Sequence, residues 1–175
     1  SEYVIYLDSI KGGKLKKNDI FATGAYLDEN GMLRHGLVLN YKQDYRKVET
    51  IMPRWYNDGV MAGKNFEDYI AHEMAHIMPF QNCVSEVEYI ELNEIVMLIK
   101  SLCDDKLIIN NNEVISELNE KIRRQFIAGI SGYADRSKDG RECLAEAFVR
   151  YRNGEWIPDE ARKLIRKYIL HWRRV

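Results

Sequence analysis

The chain has 175 residues, of which 46% are apolar and 30% charged, with a formal net charge of −1 at pH 7. That is enough apolar material to bury a sizeable core, and one compact domain over residues 1–175 is the expectation. The balanced charge excludes a general attraction to nucleic acid or to an anionic membrane, and the sequence holds no apolar run long enough for a membrane-spanning helix.

In chain order, Val4-Ile5-Tyr6-Leu7 predicts a short strand, and Lys11-Gly12-Gly13-Lys14 a flexible turn. The runs Ile20 to Leu27 and Met32 to Tyr41 flank Asp28-Glu29-Asn30-Gly31, a strong hairpin signal. Trp55 and Tyr56, after Pro53, either line a cleft or cap the core.

A helix is then predicted from Asn65. Gly63-Lys64-Asn65 followed by Phe66-Glu67-Asp68 reads as turn, N-cap and acidic first turn, and Pro79 supplies the stop. Ile70, Met74, Ile77 and Met78 form an expected apolar stripe, with Tyr69, His72, Glu73 and His76 on another side. The segment His72-Glu73-Met74-Ala75-His76 places two imidazoles one turn apart on one face, where both can reach a single metal ion. Glu73 projects about 100° round the helix from His72, where it can take a proton from water instead of ligating. The bland alternative is two surface histidines on an ordinary amphipathic helix.

Val84 to Cys103 and Asn112 to Ala128 predict two further helices, the second with Ile115, Leu118, Ile122 and Phe126 on one face. Two histidines leave a catalytic zinc one protein ligand short. His35 lies in a strand-like stretch and His171 in the basic C-terminal helix, so a carboxylate is the better candidate. In the predicted helix Gly140 to Tyr151, Glu142 and Glu146 share a face at i and i+4 among Leu144, Ala145, Ala147 and Phe148. Carboxylates bordering such a core are usually paired or metal-bound. Glu142 is expected to ligate and Glu146 to accept the free N–H of a ligating histidine, although simple charge display is the alternative.

Pro158-Asp159-Glu160 opens a last helix. There Arg162, Lys163, Arg166, Lys167, Arg173 and Arg174 oppose Leu164, Ile165, Tyr168, Ile169 and Trp172, and a solvated face is the expectation, with docking to DNA or an acidic partner as the alternative. Cys83, Cys103 and Cys143 lack the spacing of a zinc knuckle or disulfide framework and read as reduced thiols of a cytoplasmic chain. No signal peptide is visible, and a start at Ser1 suits a chain from which an upstream domain or leader has been removed. Strands followed by helices predict an α+β fold, a small sheet packed on a helical layer that carries the histidine helix.

The histidine motif followed by an acidic helix resembles the gluzincin metallopeptidases. A narrower likeness lies in Ser131-Gly132-Tyr133-Ala134-Asp135-Arg136 followed by Glu142-Cys143-Leu144-Ala145-Glu146-Ala147-Phe148. This pair, in this order after the histidines, is similar to the group of anthrax lethal factor catalytic domains, Pro-Pro endopeptidases and phage-associated relatives, over about residues 55 to 155. The resemblance implies a zincin-like fold, one Zn2+ held by His72, His76 and Glu142, Glu73 as general base and Tyr133 as the hydroxyl that steadies the oxyanion. The turn at Lys138-Asp139-Gly140 is longer than in the group. In metallopeptidases of this shape an edge strand pairs with extended substrate; Gly36, Leu37, Val38, Leu39 and Asn40 are the candidates, with a buried strand as the alternative.

The function expected is a zinc-dependent endopeptidase acting on a protein or peptide, as a toxin effector or a phage or mobile-element accessory. A non-catalytic metal-binding assembly module is the rival, and a chain with no metal a third possibility.

Overall fold

A computed structural model describes residues 4–6, 19–40, 42–83, 85–101, 127, 129–137 and 139–170. The predicted hairpin forms from β2 (Phe21–Leu27) and β3 (Leu33–Leu39), paired antiparallel with Gly24 opposite Gly36. Its turn is closed by the Asp28 carboxylate, which accepts from the N–H groups of Asn30 and Met32, and by Gly31 at φ 73°. A left-handed residue there favours glycine. β1 (Val4–Tyr6) lies parallel to β3 on its other side, so the sheet order is β1-β3-β2.

That order corrects one expectation. Gly36, Leu37 and Val38 lie in the central strand with β1 on one side and β2 on the other, so they offer no open edge, while Leu39 pairs with Phe21 of β2 and Asn40 directly follows the strand. His35 to Val38 are buried in succession. Among the described residues the free edge beside the helices is that of β2.

After the hairpin comes α1 (Tyr45–Asn57), capped by Asp44 and carrying Pro53 in its interior. The motif helix α2 (Phe66–Ile77) starts where the sequence places it, with the Asn65 side chain accepting from the Asp68 N–H at 2.9 Å, and Pro79 follows in a 3-10 turn. α3 (Glu86–Ser101), the short α4 (Gly132–Arg136), α5 (Gly140–Arg152) and α6 (Asp159–Leu164), which runs on as a π-helical turn through Ile169, complete the described chain. Of the predicted helix at 112–128 only Ile127 is described, in a turn and buried in the main core, and Leu7, Lys11 to Lys14, Cys103, His171, Trp172, Arg173 and Arg174 lie outside the described residues. The result is a mixed α+β arrangement.

α5 is the hub. Cys143 through Val149 are all buried, because α2 and α3 pack on α5 and the C-terminal residues Ile157, Ile165 and Ile169 close round it. The buried side of α2 differs from the expected stripe: Ile70 is 42% exposed, whereas Asp68, Tyr69, Ala71, His72, Ala75 and Ile77 are buried. The small side chains of Ala71 and Ala75 join the core round α5, and large residues there would hold the two helices apart. A second, smaller cluster of Val48, Met52 and Tyr69 sits under the hairpin. No helix among the described residues is long and apolar enough to cross a membrane.

Candidate metal centre

The site forms where α2 faces α5 across the end of the hairpin. His72 and His76 come one turn apart from α2, and Glu142 and Glu146 one turn apart from α5, so two i, i+4 pairs meet. His72 Nδ1 lies 2.8 Å from Glu146 Oε1. The other oxygen of Glu146 accepts the Ala62 backbone N–H at 2.7 Å. Glu146 is 1% exposed, and these two bonds satisfy a carboxylate that would otherwise be costly to bury. A carboxylate only accepts, so Nδ1 carries the ring proton and a neutral His72 turns a bare Nε2 outward.

That Nε2 lies 3.0 Å from Glu142 Oε2 and 3.2 Å from His76 Nε2, and the third side of the triangle, His76 Nε2 to Glu142 Oε2, is 3.4 Å. His72, His76 and Glu142 thus form a cluster able to hold a metal ion. A tetrahedral ion with ligands at about 2.0–2.1 Å separates them by roughly 3.3–3.4 Å, close to all three sides. The chemistry of the set agrees, since three lone pairs converging on one point repel unless a cation stands among them.

As free side chains, a proton serves instead. Burial opposes charge on His72, but hydrogen bonds to Glu142 and Glu146 outweigh it and carry its pKa up to about 10. Burial likewise works against the charge on Glu142, yet the bonds to His72 and His76 hold its carboxyl far below the usual range.

Glu73 stands outside the triangle and lines the same cavity. Burial pushes its carboxyl above the ordinary range, against the pull of both histidines, and the Thr23 side chain of β2 hydrogen-bonds it. Tyr133 is positioned from two directions. Its N–H donates to the Val60 carbonyl at 2.8 Å and that of Gly132 to Gly59 at 2.7 Å, while Ser131 caps α4. Its ring lies 6.2 Å from that of His72, and its hydroxyl donates to Glu142. Burial first, then the nearby carboxylates, raise its pKa.

Other candidates fall elsewhere. His35 is buried on β3 with its ring stacked on Phe80, 6.2 Å between centroids, and burial holds it below its ordinary pKa. Cys143, beside Glu142, turns its thiol to the Ala134 carbonyl at 3.1 Å and away from the ion site. In α6 the apolar side of the helix is the buried one: Ile165 and Ile169 are fully enclosed, while Lys163, Arg166 and Lys167 are exposed.

A cavity of about 560 Å3 opens over these groups. One side is the run Phe21 to Ala25 of the β2 edge, and Trp55 both lines it and packs on the smaller apolar cluster, so it takes both of the roles expected as alternatives. Tyr56 instead donates its hydroxyl to Glu155 at 2.9 Å, outside the cavity wall. Sequence reasoning missed Thr23 and the Ala62 N–H, for which no motif exists; Tyr69 alone left a signal, being one turn before His72 on the same face. In comparisons with known proteins, no protein-family profile, no curated protein and no solved structure matches the chain.

Proposed function

We propose that this protein is a zinc-dependent endopeptidase of the gluzincin type, with a zincin-like fold. The observation that carries the reading is the triangle of His72 Nε2, His76 Nε2 and Glu142 Oε2, with sides of 3.0 to 3.4 Å, set in the wall of a cavity that also holds Glu73 and Tyr133. A purely structural zinc fills its fourth position with a protein group and needs neither a nearby base nor an open cavity.

When bound, the ion supplies Lewis acidity, which makes water a nucleophile near neutral pH. Glu73, restrained by Thr23 and raised above the ordinary carboxylate range, takes the proton of that water and returns it to the leaving amine. Tyr133 stays protonated and supplies a hydrogen bond to the oxygen on which charge develops. Glu146 fixes the tautomer and the ring plane of His72. The edge of β2, unpaired among the described residues, gives an extended peptide backbone a place to add as a further strand across the cavity.

The test is cleavage of a randomised peptide library by zinc-loaded protein, with and without chelator, beside Glu73→Gln. Chelator-sensitive cleavage is expected, with Glu73→Gln holding one zinc per chain while turnover falls by about 10²–10⁴. Cleavage by the variant at the wild-type rate would remove Glu73 from the mechanism. Zinc binding with no cleavage of any peptide would favour a metal-binding assembly module.

A further inference from the structure

The smaller apolar cluster under the hairpin is not sealed. Ile20, Phe21, Trp55, Met61 and Tyr69 pack together there and also line the cavity over the metal cluster. Tyr69 is 8% exposed, and its hydroxyl is buried with no hydrogen-bond partner among the described residues. Its ring has little freedom, since a Cβ on Gly63 would come within 3.0 Å of Cδ2 and 3.1 Å of Cε2. The ring is held in place while its polar end is left unmatched.

A buried hydroxyl without a partner is a desolvation cost with no return, and phenylalanine would fill the same space without it. The hydroxyl is covered as it stands, so a ligand in the cavity could supply the partner by displacing the partly buried side chains of that cluster. Burial, with Glu146 adding to it, keeps the phenol protonated, so it can both donate and accept. The side chains packed round the ring are apolar. The two buried carboxylates in the cavity wall are already engaged, Glu146 with His72 and the Ala62 N–H and Asp68 with Arg152, Asn153 and the Lys64 N–H, which favours an uncharged ligand group over a cation.

We propose that this lobe is a specificity subsite, in which the Tyr69 hydroxyl selects a substrate side chain with an apolar stem and an uncharged hydrogen-bonding end, such as that of glutamine. The assignment rests on the peptidase reading for the nature of the ligand, and Tyr69 acts on selection rather than on the bond broken. A site built to meet a polar group discriminates well against the analogue that lacks it, because its own group is then left unpaired.

The experiment is equilibrium binding of a peptide array to zinc-loaded wild-type and Tyr69→Phe protein, each position carrying in turn glutamine or methionine, and tyrosine or phenylalanine. At one position the wild type should bind the polar member about five- to tenfold more tightly, the scale of one neutral hydrogen bond, and Tyr69→Phe should lose or reverse that preference. The melting temperature of Tyr69→Phe should equal or exceed that of the wild type. The same preference in both proteins, no preference at any position, no peptide binding at all, or a clear fall in melting temperature would each overturn the proposal. Cleavage of the same peptides separates the two claims. Peptides held with a Tyr69-dependent preference yet left uncut would remove the peptidase and leave the subsite; peptides cut without that preference would do the reverse.

Discussion

On the proposed reading, a proton and a metal ion compete for the same place at His72. With free side chains the imidazole is drawn up to about 10 from an ordinary value of 6.5, so the stabilisation from its charged form is complete below about 6.5 and is lost as pH rises through about 10. Metal binding requires that proton to leave. The melting temperature of chelated protein should therefore fall between pH 7 and 10, while zinc-saturated protein shows little of this slope; equal slopes in both would contradict the arrangement. Removing the buried partner is the complementary perturbation. Glu146→Gln keeps the shape but weakens the hold on the His72 N–H, and zinc affinity should drop by about 10–100-fold in a competition titration with a fluorescent chelator. Under the proposed peptidase mechanism Tyr133→Phe should lower kcat by about 10²-fold with KM little changed, because the hydrogen bond assigned to it there strengthens only as charge develops.

The metal cluster depends on how closely two helices approach. Ala71 and Ala75 let α2 sit against α5, so Ala75→Leu should cost about 1–3 kcal/mol in urea unfolding and also weaken zinc binding by moving Glu142 away from the histidines. Asn65→Ala removes the cap of α2 and should cost about 1 kcal/mol, with zinc affinity less affected because the cap lies two turns from His72. At this scale the sequence was legible where a local rule applied. The Asn65 cap, the two i, i+4 pairs and the Asp28–Gly31 turn each follow from neighbours a few residues apart. α1 escaped because Pro53 sits inside it and its only buried positions, Val48 and Met52, make a short stripe. Of the expected stripe of α2, Ile77 and Met78 do pack on the core, whereas Ile70 faces out, because helix packing here rewards the smaller Ala71 and Ala75.

Across the whole molecule the missing information was long-range. Alternation along β2 and β3 says nothing about which one is central; β1 decides that by pairing with β3 from the start of the chain. The one available hint was that Gly36 to Leu39 is apolar without alternation, the pattern of a strand covered on both faces. Likewise Tyr69 becomes part of a cavity wall only once the hairpin, α1 and α2 close on one another. The metal cluster, by contrast, was readable across some seventy residues of separation, since each half has its own helical spacing and the chemistry of one half calls for the other.

The proposed function turns on one ion being held jointly by α2 and α5. Diffraction from zinc-loaded crystals at the zinc absorption edge tests it most directly. One anomalous peak is expected about 2.0–2.1 Å from His72 Nε2, His76 Nε2 and a Glu142 oxygen, and absent in Glu142→Ala. A zinc-saturated crystal with no peak between those three side chains, or with its peak at other residues, would contradict the account.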